Sequence, residues 1–318
     1  MQLSRITPRC AFIALPFLML AASPGTAQES NAGFTFSTFT ISGAVDLGVE
    51  SINTPGAISG YYTDSAGDYK GFLRATDGTV TSFSDPGDTG SPGYTIASQI
   101  NQGGTIVGEF YDDAALTYSG YFRESNGTFK TYNLPGQPQY TTTALYGVND
   151  SGTGFCGFVY PPPYTTLSAF TSFGGTVTIF AVNGSTDSVC TGVNDAGYAV
   201  GYYNDSAGVS HGWVRNPSGT ITEINVPGAA SVLGAFPCGG NAGGTIILGI
   251  NSKEEMSGHY WDTSFNEHGF ILTPAGKYEH VNVPGAFQTG GGGINNKGVM
   301  VGHYQDSSCN STGYIATP

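Results

Sequence analysis

The sequence predicts an all-β fold, a six-bladed β-propeller with four strands in each blade, and three observations lead to this prediction. An apolar residue followed by asparagine recurs six times along the 318 residues, and in five copies a glycine stands three residues after the asparagine. Each copy continues with short alternating segments separated by turn residues. The sixth copy stops one segment short, and the beginning of the chain holds a segment that resembles the missing one.

The repeating unit is anchored by asparagines that are 48, 48, 45, 57 and 44 residues apart: Asn53, Asn101, Asn149, Asn194, Asn251 and Asn295. Intervals of this size are typical of propeller blades. Asn-x-x-Gly between two apolar runs predicts a hairpin turn, because asparagine tolerates unusual dihedral angles and glycine supplies a positive φ. An aspartate turn, a Gly-aromatic pair and a final Pro-Gly complete most copies, so each copy contains four short strands.

Two copies depart from this pattern. The third has one extra residue before Gly157, and Pro161-Pro162-Pro163 replaces its aspartate turn. The fifth has Glu254 in place of the turn glycine. Irregular hairpins are therefore predicted in these two copies.

The two ends of the repeat array predict how the ring closes. Residues 33–44 resemble residues 276–286, which form the fourth strand of the fifth copy. We expect the first strand of the mature chain to complete the last blade. Such closure removes two free sheet edges that would otherwise invite aggregation.

Residues 1–27 resemble a secretory signal peptide, and residues 28–318 are predicted to form a single propeller domain. Arg5 and Arg9 precede an apolar run over residues 10–22, and small residues follow at 25–27. The apolar run is too short to span a bilayer. The mature protein is therefore expected to be secreted or periplasmic, not membrane-spanning, and a monomer.

Four cysteines remain after removal of the signal peptide, an even number in an exported chain. Counting outward from the hairpin turns places Cys156 and Cys190 at the same height in adjacent blades, which predicts a disulfide. Cys238 and Cys309 lie in loops of blades that can also meet.

Charge and composition exclude several functions. The chain has 10 Lys and Arg against 23 Asp and Glu, a net charge of −13. Nucleic-acid binding requires a basic surface to displace counterions from phosphate, so this partner is not expected. Glycine is abundant, with 49 residues, but shows no collagen period.

The repeat resembles the HAF-type extracellular repeat of bacterial secreted proteins. The resemblance rests on residues 294–302, INNKGVMVG, and on the motifs His211-Gly212-Trp213 and His268-Gly269-Phe270. It covers essentially the whole mature chain and implies the architecture, but it implies no catalytic residues. Such a repeated histidine position is expected to tether neighbouring blades.

Candidate catalytic residues come from a position that varies within the regular frame, directly after the glycine of the second strand. The six copies have Tyr61, Glu109, Phe158, Tyr202, His259 and His303 there. Glu109, His259 and His303 can act as general acid, general base or metal ligands. The alternative is that all six residues pack between blades or at the rim.

Exposed aromatic residues provide the candidate ligand-binding set, because an aromatic ring packs against the apolar face of a sugar. This set comprises Tyr111, Trp261, Tyr61, Tyr202, Tyr94 and Tyr140. Loop packing is the alternative role for these side chains.

Five copies also share an aspartate: Asp64, Asp112, Asp205, Asp262 and Asp306. Such carboxylates can bind Ca²⁺, but each belongs to its own turn, which favours turn capping. We therefore predict no metal or cofactor, with Ca²⁺ as the alternative.

These observations predict a secreted binding or interaction propeller whose ligand is a glycan or a cell-surface polymer. No catalytic signature is evident. Enzymatic activity is therefore left open, with no activity as the favoured expectation. Two alternatives remain: an extracellular carbohydrate-active hydrolase or lyase that works at the channel mouth, and a purely structural module of the cell envelope.

Overall fold

The computed structural model describes residues 33–136, 142–160 and 166–318, and within these ranges it contains 26 strands and no helix. The predicted signal peptide and Tyr140 lie outside the described residues. Accordingly, none of the described segments is a helix long and apolar enough to cross a membrane.

The repeat units each form antiparallel strands that follow one another in chain order. The first unit consists of β2 (Ala44–Ile52), β3 (Ile58–Asp64), β4 (Tyr69–Arg74) and β5 (Val80–Phe83). The second consists of β6 (Thr95–Ile100), β7 (Ile106–Asp112), β8 (Thr117–Arg123) and β9 (Phe129–Tyr132). The third consists of β10 (Thr143–Val148), β11 (Gly154–Val159), β12 (Ser168–Phe173) and β13 (Thr176–Phe180).

The fourth unit consists of β14 (Asp187–Val193), β15 (Ala199–Asn204), β16 (Ser210–Arg215) and β17 (Ile221–Ile224). A small hairpin follows, made by β18 (Gly234–Ala235) and β19 (Asn241–Ala242). The fifth unit consists of β20 (Gly244–Ile250), β21 (Met256–Trp261), β22 (Glu267–Leu272) and β23 (Tyr278–Val281). The sixth contains β24 (Gln288–Ile294), β25 (Met300–Gln305) and β26 (Ser311–Thr317), and β1 (Thr35–Phe39) joins it.

The strand at the beginning of the described chain completes the last unit, as predicted. Strand β1 pairs antiparallel with β26 from Thr35 opposite Thr317 to Phe39 opposite Gly313. Strand β2 then packs against β24, β25 and β26, so the sixth unit also touches the first. The units therefore follow one another around a closed circle, which is a β-propeller arrangement.

The prediction of six blades with four strands each is confirmed in part, because the described chain contains four separate sheets of four strands. The fourth and fifth units instead share an eight-stranded sheet. The link is one parallel pair between Ser210 and Gly244, at the end of the longest insertion. Gly244 allows this approach because it has a φ of +94° and a Cβ there would collide with the Ser210 carbonyl.

The aromatic residue of the third strand explains why the second strand has a glycine opposite it. The third-strand aromatics are fully buried in all six units: Phe72, Tyr121, Phe170, Trp213, Phe270 and Tyr314. A Cβ at Gly60 would lie 2.7 Å from the Phe72 ring, and one at Gly201 would lie 2.7 Å from the Trp213 ring. Glycine is thus required because the ring lies directly over the neighbouring strand.

The two departing copies behave differently. In the third copy, the backbone N–H of Asn149 donates to the carbonyl of Gly154, five residues later, whereas in the other units the acceptor is four residues later. This hairpin is therefore irregular, as predicted. In the fifth, the hairpin keeps the usual hydrogen bonds, and Glu254 adopts a φ of +64°. The prediction of an irregular hairpin is wrong there, because the turn bonds hold a non-glycine residue in the left-handed region.

Both predicted disulfides are present. Cys156 and Cys190 join the third and fourth units with a Cα–Cα distance of 5.7 Å. Cys238, in the insertion, joins Cys309, in the turn between β25 and β26, at 5.5 Å. The insertion is thereby tied to the sixth unit.

The anchor asparagines hold the units to each other. Each Oδ1 accepts a backbone N–H of its own turn, at 2.8 to 3.1 Å. In four units the Nδ2 also donates to the carbonyl of the next anchor, as from Asn53 to Asn101 at 3.0 Å and from Asn295 to Asn53 at 3.1 Å. All six side chains are buried.

Asn295→Ala is expected to lower the free energy of unfolding by about 2–4 kcal/mol, because it leaves the buried Asn53 carbonyl and two turn amides without their partner. Asn126→Ala is the matched control, since Asn126 caps an exposed turn, and it should cost less than about 1 kcal/mol. Urea unfolding monitored by circular dichroism measures both. Equal unfolding midpoints for the two variants would contradict the role assigned to the anchor.

Candidate functional site

The first strands of all six units meet around a central channel. A cavity of about 30 Å³, room for about two water molecules, is lined by residues of every first strand: Ser51, Gln99, Val148, Val193, Ile250 and Ile294. The asparagine turns lie at one end of the channel, and their side chains bond across it. Asp150 accepts from Gln102 at 3.0 Å and from Asn296 at 2.7 Å. The asparagine-turn end is therefore filled by polar side chains.

The six residues that follow the second-strand glycine do not form one constellation. Glu109 is buried, with 4 % of its surface exposed, whereas the other five are half-buried. Glu109 lies among tyrosines of the first three units. His259 and His303 lie beside Glu267 in the fifth and sixth. The three predicted catalytic residues thus belong to two separate clusters.

Two tyrosine hydroxyls hold the Glu109 carboxyl. Tyr94 and Tyr146 each donate to Glu109 Oε1 at 3.3 Å. Burial raises the pKa of Glu109 from 4.5 to about 7, and the two hydroxyl bonds oppose that shift. Burial also raises the pKa of both tyrosines well above 10, so they remain hydrogen-bond donors.

Sequence analysis missed Tyr146 because its position depends on a β-bulge. The pairing of β10 with β11 shifts register between Leu145 and Gly147, and Tyr146 is the extra residue. The pairing of the first two strands shifts register at the corresponding place in the other five units, so the bulge belongs to the repeat, whereas strict strand alternation would not predict it.

Five tyrosine rings form an unbroken chain whose middle ring, Tyr94, bonds the Glu109 carboxyl, and we call this chain the tyrosine platform. Consecutive ring centroids are 5.2 to 6.2 Å apart along Tyr61, Tyr69, Tyr94, Tyr118 and Tyr111. All five rings are half-buried. The structure therefore brings together three of the predicted ligand-binding residues, Tyr61, Tyr94 and Tyr111. Trp261 lies in the fifth unit, and Tyr202 lies on β15 within electrostatic reach of Tyr146.

The second cluster centres on Glu267, which is 7 % exposed. Its Oε1 lies 3.6 Å from His259 Nε2. Burial lowers the pKa of His259 to about 4, so this imidazole is neutral at pH 7. Burial raises the pKa of Glu267, and the charge of His303 opposes that rise.

Sequence analysis missed Glu267, Tyr69 and Tyr118, although a signal was present. These three residues occupy one repeat position, two residues before the third-strand glycine, where other units have serine at Ser210 and Ser311. This position varies between units within a regular frame, as does the position of Glu109, His259 and His303.

The shared aspartates cap their own turns, as predicted. Each Oδ1 accepts the backbone N–H two residues later, at 2.7 to 2.9 Å, in Asp64, Asp112, Asp205, Asp262 and Asp306. Across the described ranges, no three acidic, histidine or cysteine side chains are grouped so that they could hold a metal ion.

The expectation that His211 and His268 tether neighbouring blades is wrong. His211 lies 3.5 Å from Asp205 and 3.1 Å from Asn225. His268 lies 3.3 Å from Asp262 and 3.2 Å from Asn282. These partners belong to the same repeat unit as the histidine, because the ring reaches along its own sheet to the aspartate turn.

No family model matches the sequence, and no curated protein is similar enough to indicate a family. Solved structures are similar in fold. AofleA from Arthrobotrys oligospora has a TM-score of 0.54 and 10 % identity, over 89 % of this chain and 86 % of that one. A mutant of the Aleuria aurantia lectin in complex with α-methyl-L-fucoside has a TM-score of 0.51 and 12 % identity, over 88 % and 93 %. Identities this low show the fold alone.

Glu109→Gln is expected to stabilise the protein relative to wild type above pH 7 and to have little effect near pH 4. The folded-state pKa of about 7 lies above the ordinary 4.5, so the folded protein keeps a proton that the unfolded chain releases between these values. The contribution of this group is therefore fully present below pH 4.5 and is lost as the pH rises through 7. The loss is on the order of 3 kcal/mol.

Urea unfolding between pH 4 and pH 8.5 measures this difference. Glu124→Gln is the matched control, because its side chain is exposed on the third-strand turn of the same unit. A difference between Glu109→Gln and wild type that does not change with pH would show that the carboxyl is not buried as described.

Proposed function

We propose that the protein is an exported glycan-binding propeller and that a sugar packs on the tyrosine platform beside Glu109. The single observation that carries this proposal is the unbroken chain of five half-buried tyrosine rings, the middle one of which bonds a buried carboxyl. Aromatic rings supply a large apolar face, and their hydroxyls supply polar contacts at the edge. A sugar ring offers the same combination, with an apolar face and hydroxyls around it.

Glu109 adds a polar anchor at the middle of the platform. With a pKa of about 7, this carboxyl is protonated in about half of the molecules at neutral pH and can donate as well as accept. A sugar hydroxyl has the same two capacities, so it can exchange hydrogen bonds with Glu109 and the Tyr94 hydroxyl. The site needs no metal ion or cofactor to make these contacts.

Export is part of the proposal. Two disulfides join distant parts of the chain, and disulfides persist in oxidising compartments. A signal peptide over residues 1–27 and relationship to the HAF-type repeat proteins are consistent with that location. We further propose that the eight-stranded sheet acts as two blades, which gives a six-bladed ring, since its two halves are joined by a single residue pair.

The similar lectin, in complex with α-methyl-L-fucoside, supports the idea that a fold of this kind can hold a sugar. The choice of site rests on this chain's own residues. The raised pKa of Glu109 also suits a general acid, which keeps a carbohydrate-active hydrolase or lyase as the second candidate. That activity would release new reducing ends or unsaturated products from a polysaccharide.

A glycan array probed with the mature protein is expected to show binding that Tyr111→Ala weakens about tenfold, which corresponds to about 1.4 kcal/mol. The reason is the loss of one ring from the platform. Tyr278→Ala is the matched control, because Tyr278 is also half-buried and has one aromatic ring contact, but in the fifth unit. It should bind like wild type, and EDTA should not change binding.

An array without any bound glycan would overturn the proposed function. Equal losses in the two tyrosine variants would show that the platform is not the site. Isothermal titration with the best array glycan gives the dissociation constants, and melting temperatures show whether each variant is folded.

A further inference from the structure

The Glu267 cluster contains hydrogen-bonding groups that have no counterpart in the tyrosine platform. It consists of Glu267, His259, Gln288 and Trp261, with His303 beside them. These residues come from β21, β22, β24 and β25, so the cluster lies at the junction of the fifth and sixth units.

Two hydrogen-bond acceptors face each other in this cluster. His259 Nδ1 lies 3.2 Å from the carbonyl oxygen of Gly291, which can only accept, so Nδ1 carries the proton. The neutral ring then presents the lone pair of Nε2 towards Glu267 Oε1 at 3.6 Å. This distance is too long for a hydrogen bond, so neither atom satisfies the other.

Two buried donors lie in the same cluster. Gln288 is 1 % exposed, and its Oε1 accepts the backbone N–H of Glu267. Its Nε2 has no hydrogen-bond partner among the described residues, and the same is true of Trp261 Nε1. The Trp261 ring centroid lies 5.0 Å from that of His259. A buried polar group without a partner costs about 1–3 kcal/mol.

Gly290 allows the side chains to converge. A Cβ at this position would lie 2.8 Å from His303 Cε1 and 3.1 Å from Glu267 Oε1. The imidazole and the carboxyl therefore occupy the space that any other residue would fill.

The insertion forms one wall next to the cluster. The Ala230 N–H donates to the Trp261 carbonyl at 2.7 Å, and the Phe236 ring lies 6.5 Å from the Trp261 ring. The Cys238–Cys309 disulfide ties this segment to the sixth unit. The Phe236 ring of the insertion thus packs beside Trp261, and the disulfide holds the insertion in this position.

We propose that the Glu267 cluster is a second sugar-binding subsite that takes a vicinal diol. One hydroxyl donates to the Glu267 carboxylate or to His259 Nε2, and its neighbour accepts from Trp261 Nε1 or Gln288 Nε2. A diol fits because each hydroxyl both donates and accepts, whereas an ammonium group would satisfy the acceptors and leave both donors unpaired. This inference rests on the proposed glycan binding and adds a second point of contact.

The two tryptophans of the chain allow a direct test by NMR of ¹⁵N-labelled protein. Trp261 is in the cluster, and Trp213 is fully buried in the core of the fourth unit, so its indole signal is an internal control. Trp261→Phe assigns the two signals. We expect methyl glycosides with vicinal hydroxyls to shift the Trp261 signal and to leave the Trp213 signal in place, with no shift from n-butylamine.

Glu267→Gln is expected to weaken binding at least tenfold, because the new carboxamide can donate to His259 Nε2 and so occupy the acceptor that the sugar needs. Glu279→Gln is the matched control in the same unit, since Glu279 pairs with the exposed Lys277 and not with the cluster residues. It should bind like wild type.

The outcomes separate the two proposals. If the array glycan binds, loses affinity with Tyr111→Ala and leaves the Trp261 signal unmoved, the second subsite is overturned and the platform stands. If the Trp261 signal moves and Tyr111→Ala has no effect, the cluster stands and the platform fails. The diol site is also overturned if the Trp261 signal moves only with n-butylamine, or if none of the compounds moves it.

Discussion

The amide side chain of the anchor asparagine is the interaction on which the rest of the molecule depends. Its oxygen closes the hairpin between the first and second strands in every unit, and in four units its nitrogen reaches the carbonyl of the next anchor. One buried group therefore sets both the local turn and, in those four units, the contact with the next unit. Aspartate would lack the donor, and the serine side chain would be too short to make both bonds, so these four units need asparagine.

Much of the fold follows from local chemistry that the sequence displays. Asn-x-x-Gly predicts the hairpins, the likeness of residues 33–44 to 276–286 predicts the pairing of β1 with β26, and strand counting predicts the bond between Cys156 and Cys190. The link between Ser210 and Gly244 could not be predicted, because it depends on the path of an insertion without a repeat partner. Tyr146 lies in a bulge that recurs between the first two strands of every unit, and strand alternation alone does not place such a residue.

The candidate site was predictable where it follows the repeat and unpredictable where it depends on three-dimensional neighbours. Glu109, His259 and His303 share a repeat position, but their partners Tyr146 and Glu267 come from a different strand in each case. The asparagine-turn end is held by bonds such as Gln102 to Asp150. This end therefore combines the shared asparagines with residues that differ between units, because Gln102 and Asp150 both follow an anchor asparagine directly.

The pairing of β1 with β26 has a consequence for how the chain reaches its native state. Thr35 and Thr317 are separated by nearly the whole described sequence, and contacts this distant in sequence slow folding because a very large loop must close first. The hairpins within a unit are local and can form early. The last sheet is complete only when β26, which is synthesised late, pairs with β1, which is synthesised early. Until then β26 has an open edge that can pair with other chains.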